Sequence, residues 1–485
     1  AYNTAVGRNA LNANITGAEN TAVGYGALDA NTTGGTNVAV GQDALGANTT
    51  ASANTAVGRH AMQANTTGAN HTAVGHYALK VNTTGETNSA LGGYTLRWNT
   101  TGNSNVAVGY TALNNNTTAS NNTAVGYAAL QENTTGQYNT ALGKSTLESN
   151  TTGVENTAVG FNSLLDNTTG SYNTSVGRSA SEDQSTGDFN ASFGYQSLER
   201  ANADKNSGFG AYTLRFNTTG YSNVALGFQA LYQNTTGPNN TAVGYQALES
   251  QTTGWNNVAI GRGSLGSNTT ASYNTAVGYD AAEANTTGTN NTAIGNVALK
   301  ANTTGSGNTA VGREALKAST TASGNTVVGR QAGQQITTGA YNTIVGHLGA
   351  ANNGGLITGS ENTLIGAFAD PSATNGGQQI VLGYDCTGVG NNSITIGKGH
   401  ASADRIYNYF TSNATWTRTS DERVKKDIAT NTDAGLAFIN DLRTVTYKWK
   451  APSEYDATMN SYNAEETEAS YNKKMYGFIA QEVKA

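Results

Sequence analysis

The chain has 485 residues, of which 37% are apolar and 12% charged, with 60 Gly, three Pro, one Cys and a net charge of −6. A balance this mild, without a basic block, argues against a nucleic-acid partner, and the apolar runs are too short to cross a membrane as helices. One Cys cannot close an internal disulfide and the five His lack ligand spacing, so neither a disulfide framework, a metal centre nor a cofactor is indicated.

Length alone would suggest roughly three domains, but a repeat overrides it. The stretch Asn20–Thr36, NTAVGYGALDANTTGGT, returns from end to end of the first 400 residues. Its Gly stands at Gly7, Gly24, Gly41 and every 17th residue to Gly194, then from Gly210 to Gly346 on the same step, and last at Gly366, Gly383 and Gly397. One residue is lost before Gly210, near Asp204-Lys205, which reads as a kink, a surface loop or a tolerated turn deletion. Three are gained within 349–361, and a Gly/Asn/Pro loop follows at 370–377. The count is 24 copies. So short a period leaves no globular unit per copy, so each must be one coil of a solenoid that buries its apolar face by stacking. At ~4.8 Å per coil the stack would be on the order of 115 Å long. The fold class is all-β, with residues 1–399 the solenoid.

Within a coil, NVAVG (Asn37–Gly41) has apolar residues two apart, the strand period, which predicts Val38 and Val40 inward and Ala39 outward. A second, shorter strand is expected at Ala27-Leu28, its Leu column also inward. Gly24 and Gly34 are expected to turn the chain through φ > 0. Asn31, before Thr32-Thr33, is expected to ladder with its equivalents one coil away. Helix is excluded by the density of Gly, Asn and Thr. Asn-Thr-Thr matches a glycosylation sequon and is read instead as a turn.

The residue after the first turn Gly is aromatic (Tyr25, Tyr110, Tyr127, Phe161, Tyr195, Phe228, Tyr245, Tyr279), basic (Arg8, Arg59, Lys144, Arg178, Arg262, Arg313, Arg330) or His (His76, His347) in most copies and never acidic. Such a column would stack cations on rings. It is expected at an interface between chains, with receptor contact as the alternative. Acids of the repeats, such as Asp29, Glu148 and Glu249, are scattered, unlike the paired carboxylates that glycoside hydrolysis needs.

The last step, Asn392–Gly397 (NSITIG), resembles the head repeats of trimeric autotransporter adhesins, N-S-x-A-[IV]-G-x-x-[AS]. That resemblance implies a left-handed parallel β-roll and a homotrimer, which would also cover surface that a thin coil leaves bare.

Residues 400–419 alternate as strands of a neck, Arg405–Phe410 and Ala414–Arg418. Charge density then jumps: 20 of the chain's 58 charged residues lie in its last 66. Here stand Ser420-Asp421-Glu422-Arg423-Val424-Lys425-Lys426-Asp427-Ile428, a predicted helix over 433–442, a strand at Val445–Lys450 and Gly477-Phe478-Ile479-Ala480-Gln481-Glu482-Val483. The order S-D-x-R-x-K-x-[DN]-I, x-x-L-x-x-V-x-Y-x-[WF], G-x-I-A-Q-E-V resembles the self-cleaving intramolecular chaperone that ends phage tail fibres, tailspikes and endosialidases. The resemblance implies a small α+β segment over 420–485, the first part of a longer domain, and a Ser/Lys dyad of Ser420 and Lys425 that cuts the Thr419–Ser420 bond. A buried Lys of lowered pKa can activate a Ser hydroxyl. Without the resemblance, Thr419-Ser420-Asp421-Glu422 reads as a helix capping box with Lys425 and Lys426 on a solvated face.

The expectation is a trimeric receptor-binding fibre of a phage tail, contacting a host-surface polysaccharide or protein. A bacterial trimeric adhesin is the alternative and a polysaccharide-degrading tailspike a distant third; Thr32-Thr33 beside a turn Gly does not suit ice binding. Because Ala1 falls inside a coil, an N-terminal anchor is expected upstream.

Overall fold

The computed structural model describes residues 2–352, 354–399, 404–410, 417–418, 445–447 and 475–477. The chain divides into two compact units, Ala1–Thr419 and Ser420–Ala485. The first is a parallel β-solenoid of about 23 turns, and no α-helix occurs among the described residues. Strands β1 (Thr4–Val6), β2 (Thr21–Val23), β3 (Val38–Val40) and their successors to β24 (Ser393–Gly397) stack in order. Register follows the repeat: Thr21 lies opposite Val38 and Val38 opposite Thr55. The lost residue is absorbed outside the ladder, Ala191 pairing with Ser207, and so are the three gained, Thr343 pairing with Thr363. β25 (Arg405–Tyr409) returns antiparallel on β24, and β26 (Thr417–Arg418) pairs antiparallel with β25. In the second unit β27 (Val445–Tyr447) pairs antiparallel with β28 (Met475–Gly477). The helix predicted at 433–442 lies outside the described residues.

The strand faces are the reverse of the expectation. Ala22, Ala39 and Ala56 are fully buried, while Val38 and Val40 are only partly covered on the outer face. V-A-V alternation fits either sense; the opposite wall decides it. That wall supplies one large side chain in most coils, Leu28, Leu45, Met62, Leu79 and onward, all fully buried, with Ser181 and Ala282 as small exceptions. A Leu reaching across so thin a coil leaves room for a methyl, and a second branched residue would overpack it. The C-terminal coils confirm this by exchange. Where the strand centre grows to Val327 and Ile344, the Leu position shrinks to Gly333 and Ala350. A Cβ on Gly349 would lie 2.9 Å from Ile344 Cγ2.

The expected second strand is instead a run of turns. Leu28, Leu45 and Met62 have φ near +52°, and Asp43 and His60, two residues before their coil's buried Leu or Met, are left-handed too. The run was mistaken for a strand because it bonds from coil to coil as one: Leu28 N–H donates to Ala44 O at 3.0 Å and Ala30 N–H to Gly46 O at 3.1 Å. A left-handed Leu costs roughly 1–2 kcal/mol, offset by the 1.5–3 kcal/mol of burying its side chain.

Gly24 does turn at positive φ, +139°. Gly34 does not: it is Gly because a Cβ would strike Ala51 O and the Asn31 side chain. The Asn ladder is present. Asn31 Nδ2 donates to Asn14 Oδ1 at 3.0 Å and to Gly34 O at 3.0 Å, and Asn48 repeats this one coil on. A second buried column, not anticipated, uses the Asn of NTAVG: Asn37 N–H donates to Asn20 Oδ1 at 3.0 Å and Asn20 Nδ2 to Gly34 O at 2.9 Å.

His71 takes one place in that second column. Asn88 N–H donates to its Nδ1 at 3.0 Å, and Nε2 lies 2.6 Å from Gly85 O, so Nε2 carries the hydrogen and the ring copies both bonds of an Asn. Burial is the main cause that holds its pKa below the ordinary 6.5, and protonation would set Nδ1–H against Asn88 N–H. Below about pH 6.5 the unfolded chain binds a proton that the folded chain resists, so stability contributed here falls as pH drops. His71→Asn is expected to remove that dependence. Denaturation midpoints of the two chains should differ by a constant amount above pH 7 and diverge toward pH 5, wild type losing more; parallel curves would contradict the assignment.

Candidate functional site: an aromatic and cationic edge

Each coil turns a corner at the first Gly. A Cβ on Gly24 would lie 2.5 Å from Gly41 O, so the chain is pinned there and the next side chain projects from the corner. Tyr25, Tyr110, Tyr127, Phe161, Tyr195, Phe228, Tyr245 and Tyr279 are all exposed, Tyr127 at 53%, and so are Arg262 and Arg313.

Coil spacing brings these side chains into stacking range. Tyr110 and Tyr127 stack with centroids 5.9 Å apart, and Phe228 and Tyr245 at 5.6 Å. Cations sit between rings: Lys144 lies 5.7 Å from Tyr127 and 5.6 Å from Phe161, and Arg178 lies 5.7 Å from both Phe161 and Tyr195. Arg262 is 5.9 Å from Tyr245 and 5.2 Å from Tyr279, whose hydroxyl accepts from its Nη1 at 3.0 Å. Contacts of this kind give roughly 0.5–1 kcal/mol at exposed sites. Arg8 approaches Tyr25 at 6.0 Å. Arg313 and Arg330 follow one another along the column without a ring between them, and Glu314 offsets the charge, bonding Arg313 at 2.7 Å.

Two neighbouring columns join the edge that the reading of the repeat had confined to one. The residue after the column, left-handed and variable, supplies Tyr77 and Tyr94, 5.5 Å apart. The position just past the buried Leu supplies Lys80, 4.7 Å from Tyr77, and Arg97, which lies 5.3 Å from Tyr77, 5.4 Å from Tyr94 and 4.7 Å from Trp98. Between Asp43 and Glu132 the sequence holds Arg59, Lys80 and Arg97 against a single acid, Glu86; that imbalance was the available signal. A further set of rings borders the second turn, with Tyr172 and Phe189 stacked at 4.8 Å and Trp255 and Tyr273 at 4.5 Å.

The acids of the solenoid are largely engaged. Arg215 pairs with Glu199 at 2.5 Å, and that hydrogen bond raises its pKa. Lys300 pairs with Asp280 at 2.8 Å and Glu283 at 3.4 Å. Among the described residues no group of three or more His, Cys, Asp or Glu is placed to hold a metal ion, and no helix is long and apolar enough to cross a membrane. Ser420 and Lys425 lie outside the described residues.

No curated protein matches the chain. The family model for the chaperone of endosialidase matches residues 420–485, the stretch with the three ordered motifs. Those residues are thus similar to a chaperone-of-endosialidase segment, and the likeness together with a β-solenoid fits a phage tail fibre or tailspike that ends in an intramolecular chaperone.

Proposed function

We propose that the chain is a subunit of a phage tail fibre: a parallel homotrimer that contacts a host-cell surface receptor, assembled with the help of residues 420–485. The observation that carries this reading is the outer strand face. The third residue of each strand from β1 to β22 is apolar, as in Val74, Leu91, Leu142, Leu226, Ile260 and Ile294, and each of these six is exposed. An apolar ridge along the whole stack is far more than a monomer leaves in water. Its contacts recur once per coil, and the surface that repeats with the same spacing over the same length is another copy in parallel register. Three copies, rather than two, accord with the chaperone segment. The aromatic and cationic edge then serves receptor contact, since Tyr and Arg combine broad packing surface with polar tips. A bacterial adhesin has less support, because the matched chaperone segment points to tail proteins.

Light scattering is expected to give three times the 49.8 kDa chain mass, and Val243→Asp, Ile260→Asp and Val277→Asp together should lower it to one. A single-chain mass for the unsubstituted protein would overturn the trimer.

Self-cleavage before Ser420 is assigned to Ser420 as nucleophile and Lys425 as its base. In the full-length gene product, Ser420→Ala or Lys425→Ala should block release of the C-terminal segment and leave trimer formation intact. Cutting at the same bond in the Ser420→Ala protein would refute the dyad.

A further inference from the structure

The solenoid carries a groove away from the strand ridge, walled by the column just past the buried Leu that also borders the aromatic edge. Its cavity is about 750 Å³, within the 300–1,000 Å³ range of ligand sites. The floor comes from one position of the coil, two past the buried Leu. That position is bulky in coils such as those of Trp98, Glu132 or Phe216, whereas Ala284, Ala301 and Ala318 succeed one another here; Ala13, Ala30, Ala47 and Ala64 do so near the N-terminus, and what sets this run apart is the longer turn at its end. The C-terminal end is closed where the coil gains three residues. Gly355 of that longer turn packs on Gln335, so closely that a Cβ would lie 2.7 Å from its Oε1, and Ile357 completes the wall.

We infer that this groove binds an oligosaccharide containing an anionic sugar, its chain running along the coil stack. Three features select that chemistry. The methyl floor suits the C–H face of a pyranose ring. Gln334 Oε1 is enclosed without a hydrogen-bond partner, and an acceptor in that state needs a donor such as a sugar hydroxyl. Lys317 is exposed on the groove wall and forms no ion pair among the described residues, whereas Lys300 is held by Asp280 and Glu283, the acid at the other end. From Lys300 to Arg330 the sequence has Lys300, Arg313, Lys317 and Arg330 against Glu314 alone, and Glu314 is taken by Arg313. An uncharged apolar ligand would leave both Lys317 and Gln334 unanswered.

The biological role rests on the receptor-binding reading above, but the site itself lies within one chain. A monomeric mass would therefore sink the trimer and leave this test standing. The full chain is titrated calorimetrically with defined uronate-containing oligosaccharides and their carboxyl-reduced counterparts. At least one acidic member should bind, with its reduced counterpart at least tenfold weaker. Lys317→Glu, a surface change that spares the core, and Ala301→Trp, which fills the floor, should each weaken binding at least tenfold, while Glu155→Gln, exposed and remote from the groove, leaves it unchanged. Should Ala301→Trp fail to fold, Lys317→Glu decides alone. No binding by any acidic member, equal binding of the reduced sugars, or Lys317→Glu behaving as wild type would overturn the assignment.

Discussion

Everything in the solenoid depends on buried amides that bond once within their own coil and once to the next. Asn20 and Asn31 both donate to the carbonyl of Gly34, and each passes its side-chain oxygen to a donor one coil on, Asn37 N–H and Asn48 Nδ2. An enclosed amide that misses its partner costs about 1–3 kcal/mol, so the two columns penalise any coil that slips out of register. Ordinary strands of three residues could not enforce this. Where the ladder of Asn31 changes residue type the cost is visible: Asn167, Asn234 and Asn302 each have an unpaired Oδ1, and the next coil holds Gln184, Gln251 and Ser319 in place of Asn.

The apolar half of the core obeys a volume rule that runs crosswise. A buried Leu from the turn wall meets an Ala from the strand, and the C-terminal coils trade the sizes, Ile344 against Ala350. Because the inside opposite a Leu takes only a small residue, the strand's branched residues in those coils have to face out. The same steric limit that fills the core therefore creates the external ridge. On the proposed reading function divides among the faces: ridge for assembly, aromatic corner and alanine-floored groove for contact with other molecules.

Much of this was legible in the residues. The Gly spacing gave the period, the Leu column its inward row, and Asn31 its ladder, because each is a repeated residue with one dominant physical use. The strand sense was not legible, since Val38-Ala39-Val40 alternates equally well both ways and the answer sits on the opposite wall. Left-handed Leu28 could not be foreseen from propensity, which disfavours it; only the packing of the finished coil offsets its strain. The second Asn column was hidden in plain repetition, Asn20 reading as a lead-in to a strand. At the aromatic edge, Tyr25 and its equivalents were found because their column is uniform, while Tyr77, Tyr94 and Arg97 were missed because theirs vary. Ser420 and Lys425 rest on motif order alone.

The central claim, that amide columns set the register and much of the stability, is most directly tested by repairing one. Gln251 stands between Asn234 and Asn268; its Nε2 and Asn234 Oδ1 are both enclosed and unpaired, while its Oε1 accepts from Asn268 Nδ2. Gln251→Asn removes a methylene and should restore a continuous ladder through three coils. The measurement is the denaturant-unfolding midpoint of this variant against wild type, with amide hydrogen exchange read at coils 14–16. The account predicts a gain of about 1–2 kcal/mol and slower exchange at those coils; an unchanged or lower midpoint would contradict it.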